Sequence, residues 1–304
     1  MSNLNGAAQA GGSGKAYLLL TVTALCWGCN AVFGRLAVDE VSPLALVSLR
    51  WLGVLLLVLA FAREPLRRDW PVLRRRLPFA LAMGTLGFTA FNALFYVAAH
   101  STTAVNIGIL QGAIPVFVLL GAFAAYRTRV TALQGAGVLV TLVGVVIVGS
   151  GGDFARLAAL RLNPGDLLMI LAGLLYAAYT VGLRRRPEVS SLGLFAVMAA
   201  AAFLTSLPLA AAEAALGQFV WPSPKGWVIV ALVALLPSFL GQMTFMLGVQ
   251  MIGPGRAGVF VNLVPVFAAI LAVSFLHEPF EAFHAVALAL VLGGIWIAER
   301  GKAD

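Results

Sequence analysis

Ile114-Pro115-Val116-Phe117 returns as Val264-Pro265-Val266-Phe267, about 150 residues further along the chain. The same offset pairs Asn92 with Gln242 and Gly144 with Gly294. An offset one residue shorter pairs Trp27 with Tyr176 and Arg35 with Arg184. A period this long, present from the first apolar run to the last, marks a duplication of the whole chain. Both copies of the Pro-Val-Phe motif lie within uncharged apolar stretches, so the duplicated unit is built of membrane spans.

Composition agrees. Of the 304 residues 61% are hydrophobic and 11% charged, too few polar groups to cover a soluble surface. A spanning helix needs about 20 apolar residues. Runs bounded by charge, Pro or Gly predict spans at Ala16 to Val38, Pro43 to Ala62, Leu77 to Ala99, Thr103 to Tyr126 and Thr131 to Gly149 in the first half. In the second they fall at Gly165 to Leu183, Ser191 to Ala212, Gly226 to Val249, Gly255 to Leu276 and Ala282 to Ala298. The expected organisation is therefore a disordered cytoplasmic tail (1–15), a first five-helix repeat (16–150), a periplasmic linker (151–164), a second repeat (165–298) and a short cytoplasmic tail (299–304). The apolar run after Lys15 is longer than the core of a signal peptide and lacks a small-residue cleavage site. A disulfide scaffold, a nucleic-acid binder with one basic face and a large extramembrane catalytic domain are all excluded by this arithmetic.

The formal charge of +8 is distributed by side. With a cytoplasmic tail, fifteen of the twenty Lys and Arg fall on the cytoplasmic side, among them Arg63, Arg67, Arg68, Arg74, Arg75 and Arg76 and the run Arg184 to Arg186. Arg156, Arg161 and Lys225 fall opposite, and Arg35 and Arg50 lie within spans. The positive-inside rule then places both termini in the cytoplasm.

Five spans per unit is an odd number, so the second unit enters the membrane inverted. Inverted repeats are a recurring feature of secondary transporters, with the ligand site at the repeat interface near the midplane. The fold class is thus all-α integral membrane, ten transmembrane helices in two inverted five-helix repeats. Trp27-Gly28 and Tyr176-Ala177 in the first helix of each half, the two Pro-Val-Phe motifs, and His277-Glu278-Pro279 followed by Gly293-Gly294 together resemble the EamA-like branch of the drug/metabolite transporter superfamily. The acidic turn occurs once: Arg127-Thr128-Arg129 occupies its place in the first half. The resemblance implies a bacterial inner-membrane carrier that exports small metabolites, often amino acids, and does not name the substrate.

Polar groups at mid-span should face a cavity or another helix. Thr85, Thr89, Asn92 and Tyr96 are spaced four, three and four apart, one face of a helix; Ser238 and Gln242 lie in the matching span of the second half. Two carboxamides, Asn92 and Gln242, can offer donors and acceptors to a zwitterion, or simply bond neighbouring helices. Trp27 and Asn30 share a face of the first span, and Tyr176 and Tyr179 cluster in the sixth. Gln111 and Asn262 stand beside the Gly and Pro interruptions of the fourth and ninth spans, where a freed carbonyl needs a partner. Arg50 lies about eight residues inside the second span. It can hold a substrate carboxylate through its fork, bind backbone carbonyls, or snorkel to the headgroups.

Other motifs carry less. Cys26-Trp27-Gly28-Cys29 lacks both the soluble context of a redox site and the further ligands of a zinc site. His100, His277 and His284 have no metal-ligand spacing, and Gly149-Ser150-Gly151-Gly152 lacks the lysine and helix of a P-loop. No metal, cofactor, catalytic residue or nucleic-acid partner is expected; the expected partners are a small-molecule substrate and the bilayer, with the protein a monomer. Asp39, Glu40, Glu213, Glu278 and Glu281 fall at span ends or loops, which leaves a carboxylate proton relay unsupported.

Overall fold

In bilayer hydrocarbon every backbone N–H and C=O must be satisfied within the chain, and uncharged runs of 20 residues do so as helices. The computed structural model describes residues 14–127, 130–153, 155, 163–252, 257, 258 and 260–301, and among these the regular structure is helical. Among the described residues nine helices are long and apolar enough to cross a membrane: α1 (Gly14–Leu36), α2 (Pro43–Phe61), α3 (Arg63–Ala98), α4 (Ala104–Tyr126), α5 (Ala132–Gly149), α6 (Pro164–Arg185), α7 (Ser191–Ala215), α8 (Pro224–Ile252) and α10 (Ala282–Arg300). Between the last two, α9 consists of two pieces, Pro254–Val261 and Val264–Leu276, that meet at Asn262-Leu263.

Local chemistry sets the ends. Pro43, Pro164 and Pro224 open their helices, where the missing N–H would have had no partner anyway. Asn163 caps α6 through the N–H groups of Gly165 and Asp166, and Thr131 with Gln134 forms a reciprocal capping box on α5. The fourth helix of each half ends alike. Arg127 and His277 both take left-handed backbone, at φ 53° in each.

The duplication is visible in the packing. α1 lies against α8 and α9, and its counterpart α6 lies against α3 and α4; α2 packs on α7, α4 on α9, and α5 on α10. Each half therefore inserts its first helix between the third and fourth helices of the other. The interruptions also match. A π-helical turn occupies Thr85–Ala90 in α3 and Ala234–Leu240 in α8. α4 breaks at Ala113 and α9 at Leu263, each just before its Pro-Val-Phe motif. Pro115 and Pro265 thus begin new helical segments, where they release no carbonyl, in contrast to the interior position their sequence context suggests. α5 and α10 pack closely at Gly137 and Gly294: a Cβ on Gly294 would lie 2.6 Å from the Gly137 carbonyl oxygen, the close contact that small residues permit in membranes.

One end of the bundle carries the arginine-rich segments (Arg63–Arg76, Arg127, Arg184–Arg186), the other the acidic turns with Glu40, Glu213, Glu278 and Glu281. Residues 63–73, expected as a charged loop, are helical and extend α3; they bury Leu73 and Asp69, and Asp69 accepts from the Ser190 N–H at 2.8 Å. Of the expected disordered tail, Gly14 and Lys15 belong to α1 and the remainder lies outside the described residues. So do 154 and 156–162 of the expected linker, residues 302–304, and Arg129, Arg156, Arg161, Arg256 and Lys302 of the charge count.

Candidate functional site

Arg50 enters the centre of the bundle from α2 and is 6% exposed. Its Nε donates to Ser238 Oγ of α8 at 2.6 Å. Its Nη1 donates to the Tyr96 hydroxyl at 2.6 Å, to Asn30 Oδ1 at 3.4 Å and to Asn92 Oδ1. Tyr96 in turn donates to Asn30 Oδ1 at 2.9 Å, and the Ser238 hydroxyl donates to the Val233 carbonyl oxygen at 2.6 Å. That last bond spans five residues, the spacing of the π turn in which Ser238 sits. Asn92 donates back to Phe88 O across the other π turn. Ser238 thus receives the guanidinium from within one π turn and Asn92 from just beyond the other, while Asn30 and Tyr96 reach it from α1 and from the regular helix that follows.

Every acceptor in this cluster is neutral, and no carboxylate reaches Arg50 among the described residues. Nη2 makes no hydrogen bond to them, which leaves part of the planar fork for another acceptor. Beside it the Trp51 indole, 3% exposed, has its N–H buried without a partner. Native structures rarely leave a buried donor unpaired. The guanidinium carbon lies 5.4 Å from the Trp51 ring centroid and 5.8 Å from that of Tyr96.

An aromatic path runs on from this point. Trp51 stacks on Phe88 at 4.6 Å and 11°; Phe88 meets Tyr179 at 5.5 Å; Tyr179 meets Tyr176 at 5.2 Å, and Tyr176 meets Phe91 at 5.0 Å. α3 comes close enough to make this contact because residue 87 is glycine: a Cβ there would lie 2.3 Å from the Tyr179 ring.

Of the residues singled out from sequence, Asn30, Arg50, Asn92 and Tyr96 thus form one cluster, with Tyr176 and Tyr179 along the aromatic path. Thr89 lies elsewhere. It bonds the Ala202 carbonyl at 3.1 Å and the Thr205 hydroxyl at 2.7 Å, both on α7. The single face expected for Thr85, Thr89, Asn92 and Tyr96 assumed 3.6 residues per turn, and the wider π turn between Thr85 and Ala90 rotates the threonines away from the pair that follows. Trp27 donates to Pro237 O at 3.1 Å, packing α1 on the π turn of α8. Gln242, repeat partner of Asn92, makes no hydrogen bond among the described residues, and neither does Asn262. The half-symmetry fails there because Arg50 has no counterpart: the matching positions of α7 are Ala199 and Ala200. Gln111 is half-buried beside the α4 break with its Oε1 unpartnered. Sequence reasoning passed over Trp51, whose position in an apolar helix reads as ordinary packing. No group of three or more His, Cys, Asp or Glu able to hold a metal occurs among the described residues.

The profile of the EamA-like transporter family matches this chain twice, over residues 14–150 and 163–299. The chain belongs to this family. The two matches divide the molecule at the duplication read from the Pro-Val-Phe motifs. Curated relatives include the uncharacterized transporter YetK of Bacillus subtilis (strain 168), 28% identical over 93% of this chain and 86% of its own length. The uncharacterized inner membrane transporter YedA of Escherichia coli (strain K12) is 26% identical over 91% of this chain and 88% of its own. A solved chain titled only "Crystal structure of protein" shares the fold, with a TM-score of 0.64, 22% identity and coverage of 94% of this chain and 96% of that one. This EamA-family chain is thus a multi-pass membrane transporter of the drug/metabolite type, and not an enzyme.

Proposed function

We propose that the protein is a secondary carrier exporting a small amphipathic metabolite, with amino acids the leading class, across the inner membrane by alternating access. One observation carries the reading: a buried arginine at the junction of α1, α2, α3 and α8 faces only neutral oxygens and has Nη2 unengaged, next to an unpaired indole N–H. A substrate carboxylate can take both donors, and the aromatic path from Phe88 to Phe91 suits an apolar side chain beside it. An ammonium group finds aromatic faces there. Trp27, Gln111, Gln242 and Asn262 remain candidate lining residues, in contact when the helices move.

The reciprocal insertion of α1 and α6 supports rocking of one repeat against the other, with the paired π turns and the breaks before Ile114 and Val264 as the points that yield. The arginine-rich end, and the description of YedA as an inner membrane transporter, support a cytoplasmic position for that end and for both termini. Liposomes reconstituted with the protein and loaded with a panel of labelled amino acids should show saturable flux that Arg50→Met abolishes. Ohmic, non-saturating current would favour a passive channel and sink the carrier.

A further inference from the structure

A second buried polar cluster lies at the acidic end and takes no part in the Arg50 site. Asp166, in the first turn of α6, is 1% exposed. Its carboxylate accepts from the Thr102 hydroxyl and from Asn106 Nδ2 at 3.2 and 3.3 Å. On its other side Asn106 Oδ1 lies 3.1 Å from His284 Nε2, and His284 Nδ1 accepts the Glu281 backbone N–H at 3.0 Å. The directions fix one another. A backbone N–H can only donate, so Nδ1 is the bare nitrogen and Nε2 carries the hydrogen; Asn106 then turns its carbonyl to the imidazole and its amide N–H to the carboxylate. The chain Asp166–Asn106–His284 crosses from the second half to the first and back.

No cation touches Asp166 among the described residues. Arg35 pairs instead with Glu278 at 3.7 Å and donates to the Ala99 carbonyl. Glu278 also caps α4, accepting from the N–H groups of Ala104 and Val105 at 3.0 Å each. A cleft of about 260 Å³, lined by Thr102, Asn106, Arg35 and His100 among others, reaches the cluster from the acidic end. The charged and titratable groups around the cluster and the cleft are His284 from α10, Glu278 and Glu281 from the turn before α10, Arg35 from α1 and His100 from the loop after α3; α4 contributes the neutral amide of Asn106 and no titratable group.

We propose that Asp166 is the proton-binding site of the transport cycle, loaded through this cleft and read by α4 and α10 through Asn106 and His284. The word transport rests on the carrier reading above; the proton site does not. The proton comes from hydronium in the cleft, which gives up one O–H bond and becomes water, and it forms one O–H bond on the carboxylate. The new O–H forms on Oδ2, the oxygen that faces Asn106 Nδ2 at 3.2 Å, a group that already donates, while Thr102 bonds only Oδ1. Asn106 can accept only by turning its carbonyl to Asp166, which aims its N–H at His284 Nε2–H and forces the imidazole to the other tautomer. That tautomer loses the Glu281 N–H. One proton on α6 thereby loosens α4 and the start of α10, the helices that close the acidic end.

Infrared difference spectra of the purified full-length protein in liposomes, between about pH 9 and about pH 5, test this without any substrate. A carbonyl stretch of a protonated carboxyl group should grow in as the pH falls, disappear in Asp166→Asn and persist in Asp69→Asn. His284→Gln should shift its midpoint by roughly half a pH unit or more. Should Asp166→Asn fail to fold, carbon-13 labelling of the five aspartates in the wild-type chain must still shift the band. An unlabelled band, one retained in Asp166→Asn, or a His284→Gln titration superimposable on wild type overturns the proposal. Amino-acid flux that ignores an imposed pH gradient while the band is present overturns the coupling. Absence of all flux with the band intact strikes the carrier reading and leaves the proton site standing.

Discussion

Replacing Arg50 by methionine separates a ligand-binding arginine from a structural one. The variant loses four hydrogen bonds, yet the partners largely keep others: Tyr96 still donates to Asn30 and Ser238 still donates to Val233 O. Only Asn92 Oδ1 is left without a donor, at a cost of about 1–3 kcal/mol. Against this stands the relief of holding a guanidinium away from water without a counter-charge, which amounts to several kcal/mol per ion. Arg50→Met should therefore unfold within about 2 kcal/mol of wild type. Asn92→Leu leaves the charge in place and removes one of its acceptors, so it should be the less stable variant by about 1–3 kcal/mol. Thermal and denaturant unfolding in one detergent, with amino-acid flux in liposomes, measures both. If Arg50→Met collapses while Asn92→Leu folds normally, or if Arg50→Met transports at the wild-type rate, the reasoning is refuted.

Trp51→Phe keeps the stack on Phe88 and removes the unpaired N–H; unfolding should move by no more than about 1 kcal/mol while the apparent KM for substrate rises, and an unchanged KM would exclude the indole from the site. Gly294→Ala places a Cβ 2.6 Å from a backbone oxygen, so α5 and α10 must part, and a loss of about 1–3 kcal/mol is expected in thermal unfolding; wild-type stability would contradict the close contact. In the loop after α1, Ser223 first and Lys225 second hold the Glu40 carboxyl below its ordinary range. A lowered folded value contributes stability above the ordinary glutamate pKa of about 4.3, lost as pH falls through the folded value. Melting curves of wild type and Glu40→Gln should accordingly differ at neutral pH and converge in acid.

Much of the candidate site was legible in the chain. The depth of Arg50 and the four-residue spacing of Asn92 and Tyr96 lie on one side of the π turn, where ordinary helical spacing holds. Thr89 was misplaced because nothing in Thr85–Ala90 announces the wider turn except Gly87, which also reads as a packing residue. Asp166 was overlooked because it follows Pro164-Gly165 at a helix start, where a carboxylate reads as an N-terminal charge favoured by the helix dipole. Its burial depends on Thr102 and Asn106, some 60 residues earlier.

The sequence by itself determined that this chain spans the membrane ten times and is duplicated and inverted. Those properties depend on the length of apolar runs and on the recurrence of Pro and Gly, which are local and survive in the order of residues. Only the tertiary structure decided that the first helix of each half packs within the other, and that Arg50 meets Ser238, 188 residues away, rather than a carbonyl or a headgroup. Which oxygens surround a buried charge is settled by helix rotation, and a single π turn in each half, invisible to periodicity, sets that rotation.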